Sequence, residues 1–87
     1  MCGVTIRVHR SALKHGLSAD GVVKLWGQGV DQVWLEDDLP GRVLRMSCDD
    51  AGRWFELVAL VFDDERVLVI HAMRLRRSTV ERVRRAR

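Results

Sequence analysis

Residues 53–73 read RWFELVALVFDDERVLVIHAM. Two runs rich in β-branched and aromatic residues flank the polar triplet Asp63-Asp64-Glu65, the pattern of two antiparallel strands joined by a short turn. Successive side chains of a strand point to opposite sides of a sheet, so each run can be sorted into faces. In the first, about Arg53 to Phe62, Phe55, Leu57, Ala59 and Val61 make one apolar row. Trp54, Glu56, Val58, Leu60 and Phe62 make the other, in which one carboxylate interrupts an otherwise apolar surface. In the second, about Arg66 to Met73, Leu68, Ile70 and Ala72 fit the apolar face, leaving Val67, Val69, His71 and Met73 opposite.

Further turn signals at Asp49-Asp50-Ala51-Gly52 and Asp37-Asp38-Leu39-Pro40-Gly41 bound two more strands, about Val30 to Glu36 and Arg42 to Cys48. Short acidic turns favour a four-stranded antiparallel meander. On the strand from Arg42, Leu44, Met46 and Cys48 fit the apolar face, leaving Val43, Arg45 and Ser47 opposite. Upstream, Ser18 is placed to N-cap a helix whose stripe is Val22, Val23, Leu25 and Trp26 and which ends near Gly27 or Gly29. Val4, Ile6 and Val8 alternate as in a short strand, but a first short helix over about His9 to His15, closed by Gly16, is the better reading. At the far end Ser78-Thr79-Val80-Glu81 fits a capping box with Ser78 as N-cap, so the tail is expected to form a short Arg-rich helix. Helices first, sheet next and helix last make an α+β fold, with residues 1–87 as a single domain.

The chain has 87 residues, 47% of them hydrophobic and 31% charged, an ordinary globular balance that excludes disorder. Two cysteines, Cys2 and Cys48, make no disulfide framework, and no Cys or His spacing suggests a metal site. No apolar run reaches membrane-spanning length and no secretory leader is seen, so a cytoplasmic protein is expected, with no membrane partner and no small-molecule cofactor. The net charge of +3 hides a split. Residues 1–73 hold eight Lys or Arg against eleven Asp or Glu, whereas the tail 74–87 holds seven Arg against Glu81 alone. Arginine offers a planar, bidentate donor to phosphate or carboxylate, although a solvated helix face explains the tail as well.

With the three apolar rows aligned against the helices, Arg45, Glu56 and His71 gather on the other face. Such a trio suits acid–base chemistry beside an anion: Glu56 takes a proton, His71 gives one, and Arg45 stabilises negative charge. RNA is a matching substrate, because its 2′-hydroxyl can attack the neighbouring phosphate without a metal. The competing reading is a cross-strand ion pair and a hydrogen-bonded histidine with no catalytic role. Lys14 and His15 at a helix end, Arg53 after a turn, and Arg74, Arg76, Arg77, Arg82, Arg84 and Arg85 of the tail are candidate RNA contacts.

The segment Lys14-His15-Gly16-Leu17-Ser18, the turn Ala51-Gly52-Arg53 before the apolar strand Phe55 to Phe62, and the closing Val69-Ile70-His71-Ala72-Met73-Arg74 together resemble the BrnT-like toxins of the RelE superfamily. The resemblance spans nearly the whole chain. It implies a RelE-like fold with N-terminal helices on a small antiparallel sheet, ribonuclease activity that blocks translation, and inhibition by an antitoxin, for BrnT-like toxins a ribbon-helix-helix protein. His71 and Met73 stand where that family tends to have Ser and Arg. The expected function is therefore the toxin of a type II toxin-antitoxin system, a metal-independent endoribonuclease; the alternative is a non-catalytic nucleic-acid-binding or regulatory protein using the Arg-rich tail.

Overall fold

Alternating apolar segments divided by acidic turns pair with their neighbours in sequence. The computed structural model describes residues 5–36 and 40–86. The expectations for Cys2, Val4, the turn residues Asp37, Asp38 and Leu39, and Arg87 lie outside the described residues. Five strands, β1 (Thr5–Val8), β2 (Gly29–Glu36), β3 (Gly41–Cys48), β4 (Trp54–Val61) and β5 (Arg66–Arg74), form one sheet in the order β1-β5-β4-β3-β2. Strands β2 to β5 are the expected antiparallel meander. The β3–β4 turn is held by Asp49, whose Oδ1 accepts from Ala51 N and Arg53 N, with Gly52 supplying a φ of +81°.

The sheet differs from the four-stranded antiparallel expectation at its other edge. Strand β1 lies parallel to β5, from Thr5 opposite Arg66 to Val8 opposite Val69, so the sheet is mixed. Immediately after it the expected first helix is only a single 3-10 turn, Arg10–Leu13. Gly16 at φ +88° ends that excursion, and α1 (Ala19–Gly27) follows with Ser18 as its N-cap, its Oγ accepting from Gly21 N at 3.0 Å. The single N-terminal α-helix buries Val22, Leu25 and Trp26 against the sheet.

The strand faces also depart from expectation. Val43 lies opposite Ala59, Leu44 opposite Val58, Arg45 opposite Leu57 and Met46 opposite Glu56. Val43, not Leu44, therefore joins Phe55, Leu57 and Ala59 in the core under α1. In β5 a bulge pairs Ala59 with Val69 and Val58 with His71, leaving Ile70 as the extra residue. Val67 and Val69 consequently share the core face with Ala72, a set the unbroken alternation assigns to two different faces. The carbonyl of Ile70 accepts a hydrogen bond from Ser11 Oγ at 2.6 Å, so the 3-10 turn satisfies a backbone group that the bulge displaces.

Helix α2 (Arg77–Arg85) covers part of the opposite face with Thr79 and Val83 buried. Its N-cap is Arg76 rather than Ser78, and no side chain of the helix itself caps it. The small α+β protein thus has its principal core between the sheet and α1, and a second, partly open layer under α2.

Candidate functional site

Glu56 is the fixed point of that second layer. Strand β4 places it on the α2 side of the sheet, and its side chain is 1% exposed. A carboxylate in such a place must be fully hydrogen-bonded to remain charged. Its Oε1 accepts from Arg76 N at 3.1 Å, from Arg76 Nε at 3.2 Å and from Thr79 Oγ1. Its Oε2 accepts from Arg76 Nη2 at 2.6 Å and Nε at 3.1 Å, and pairs with His71 Nε2 at 3.0 Å. Burial pushes the carboxyl up, but the hydrogen bonds from Arg76, Thr79 and His71 outweigh it and hold it down at about 2. Glu56, expected to take a proton, is an ionised acceptor whose two oxygens are both engaged by Arg76, Thr79 and His71. From the sheet it also caps α2, accepting the N–H of the N-cap residue and setting a negative charge at the positive end of the helix.

Because that carboxylate is a pure acceptor, His71 Nε2 is the donor of their bond, and Nδ1 is left for other chemistry. Glu56 and His71 come together as expected, through the bulge that turns His71 to the α2 side. The His71 side chain is 28% exposed, enough to meet a ligand. It lines a cleft of about 460 Å³ whose floor is Leu35, Leu44 and Val58 and whose polar wall includes Arg76, Ser78, Arg82 and Arg85. Its ring also meets that of exposed His15 edge-on, with centroids 5.9 Å apart and planes at 76°.

Arg45 is not part of this group. It lies opposite Leu57 and so on the α1 side, where its Cζ sits 3.6 Å from the centre of the Trp26 ring. Nη1 donates to Trp26 O at 2.7 Å, while Nε and Nη2 donate to Gln32 Oε1 at 3.0 and 2.7 Å. Burial lowers its pKa. Gly29 is required beside it, since a Cβ there would overlap the Arg45 Cδ and Cγ. The trio expected on one face is thus split by the sheet, because Leu44 and Met46, not Val43 and Arg45, lie on the Glu56 side.

The candidate RNA contacts also divide. Arg76, Arg82 and Arg85 line the cleft. His15 meets the ring of cleft-lining His71, and Lys14 lies exposed on the same turn. Arg53 is ion-paired with Asp49 at 2.8 Å, and Arg74 lies over the Phe55 ring on the α1 side, 5.6 Å from its centre. Arg84 lines a separate hollow with Asp31 and Met46, and Arg77 is exposed at the start of α2. Thr79 escaped the sequence reading; the signal for it was Glu56 itself, whose burial demands donors from whatever covers it.

Among the described residues no cluster of three or more His, Cys, Asp or Glu could hold a metal, and no helix is long and apolar enough to cross a membrane. The fold and cleft define a small α+β protein with a mixed five-stranded sheet and a histidine–carboxylate pair beneath a basic helix. Comparison with known proteins yields no match to a family model, a curated protein or a solved structure.

Proposed function

We propose that this protein is a metal-independent endoribonuclease, the toxin of a toxin-antitoxin pair, and that its RNA lies in the cleft beneath α2. The observation that carries the reading is the pairing of His71 with an ionised, buried Glu56 at the edge of an arginine-lined cleft. A carboxylate that fixes one imidazole nitrogen leaves the other oriented for proton transfer and stabilises the imidazolium that forms. Arg82 and Arg85 supply phosphate donors, and the Leu35, Leu44 and Val58 floor suits the apolar face of a base. Glu56 orients; His71 moves the proton. The resemblance to BrnT-like toxins adds the expected partner, a ribbon-helix-helix antitoxin, and the expected outcome, arrested translation.

The test is cleavage of RNA by the purified protein in excess chelator. Wild type should cut, and His71→Ala should cut about a hundredfold or more slowly, the usual contribution of an acid–base group, with an unchanged circular dichroism spectrum. A second reading, a non-catalytic nucleic-acid-binding protein, is favoured by the separation of Arg45 from the cleft and by the full engagement of Glu56. RNA binding without cleavage in the same assay establishes it instead.

A further inference from the structure

The contact between His15 and His71 joins the segment after the 3-10 turn to β5. His15 follows the 3-10 turn, which Ser11 ties to the β5 bulge through Ile70 O, and that same bulge turns His71 toward Glu56. One local arrangement therefore sets the separation of the two rings. Rings with centres 5.9 Å apart can each reach an oxygen of the same phosphodiester through a hydrogen bond of about 3 Å. Their surroundings differ. His71 faces the Glu56 carboxylate from β4 and lies beside Arg76 at the entry to α2, with Arg82 and Arg85 across the cleft. His15 is exposed next to Lys14, and its ring contact is to His71.

Resting on the ribonuclease reading above, we infer that His15 and His71 are the two catalytic acid–base groups, with His71, whose Nε2 is held by Glu56, as the base and His15 as the acid. His71 Nδ1 takes the proton of a ribose 2′-hydroxyl, and O2′ bonds to phosphorus as the P–O5′ bond breaks. The His15 imidazolium gives its proton to the departing O5′. The products are a 2′,3′-cyclic phosphate and a 5′-hydroxyl end, and the two imidazoles have exchanged protonation states. Glu56 is a positioning residue for the first histidine. His15, exposed after the 3-10 turn, meets His71 edge-on.

The experiment uses one oligoribonucleotide in two forms, in excess chelator: the natural RNA, and the same RNA with bridging sulfur in place of O5′ at the bond that the wild-type protein cuts. A thiolate leaves without a proton, so the sulfur substrate does not need a general acid. His15→Ala and His15→Gln, both at an exposed position, should cut natural RNA about a hundredfold more slowly and the sulfur RNA within about threefold of wild type. His71→Ala should be slow on both. Equal loss on both substrates in the His15 variants, or no loss on either, overturns the assignment of His15 while leaving the ribonuclease reading in place. A wild-type protein that cuts no RNA overturns both.

Discussion

Arg45 and Glu56 lie on adjacent strands and opposite faces of one sheet, and the protein accommodates the two charges in opposite ways. A carbonyl, a side-chain amide and the Trp26 ring take the donors and the flat face of Arg45. Glu56 is met by Arg76, His71 and a hydroxyl, and its charge binds a helix to the sheet. The arginine fills space beside α1. The carboxylate organises an open cleft that Arg82 and Arg85 also line. A buried charge is thus informative about function according to its partners, and the face with the arginine-lined cleft is the one to test.

The largest expected effect comes from Glu56→Ala, which leaves Thr79 without its acceptor and removes the cap of α2. Breaking such a pair costs about 3 kcal/mol, measured by urea unfolding at pH 7. The same interaction is titratable. The folded-state carboxyl, at about 2, lies below the ordinary 4.5, so between those values the unfolded chain binds more protons. The resulting roughly 3 kcal/mol is fully present above pH 4.5 and is lost as the pH falls through 2. Unfolding free energies collected from pH 7 to pH 2 should fall along that course in the wild type and change much less in Glu56→Ala.

Arg45→Ala should cost less, about 1 to 2 kcal/mol, from the lost ring contact and hydrogen bonds. Its RNA turnover should match wild type, in contrast to His71→Ala. A folded Arg45→Ala protein without turnover would place the α1 face in the reaction. Ser11→Ala strips the Ile70 carbonyl of its donor, for about 1 kcal/mol, and amide exchange at His71 and Ala72 should accelerate more than exchange in β3. The smallest change sharpens the role of the cleft wall. Neutralising Arg82 and Arg85 together should make the log-log salt dependence of RNA binding shallower by roughly 1.4, from about 0.7 per contact on a single strand, with cleavage at saturating RNA retained.

The strand order from β2 to β5 was legible because turn residues bound every segment and α1 carries its own N-cap at Ser18. The faces were not. Val67-Leu68-Val69-Ile70 is apolar throughout, so alternation alone cannot choose a register, and a bulge at Ile70 reverses the sorting on either side of it. The same ambiguity on β3 put Arg45 on the wrong side. Strand β1 showed its period of two, but its parallel pairing depends on a partner 61 residues away that no local pattern names. Ser78 and Glu81 fit a capping box within the helix, yet the cap comes from Glu56 on the sheet, which moves the helix start to Arg77. Of the site, Glu56 with His71 was readable as two polar groups in apolar rows. The His15 contact was not, because the turn that makes it is tertiary.

Whether Glu56 is ionised and held by Arg76, Thr79 and His71 is read most directly from the carbon chemical shift of its side-chain carboxyl as the pH falls from 7 to 1.5. The expected inflection lies near pH 2 in the wild type and moves up toward 4.5 when Thr79→Val and Arg76→Leu remove its donors. An inflection near 4.5 in the folded wild-type protein would contradict that arrangement, leaving His71 without a fixed carboxylate and α2 without its anchor.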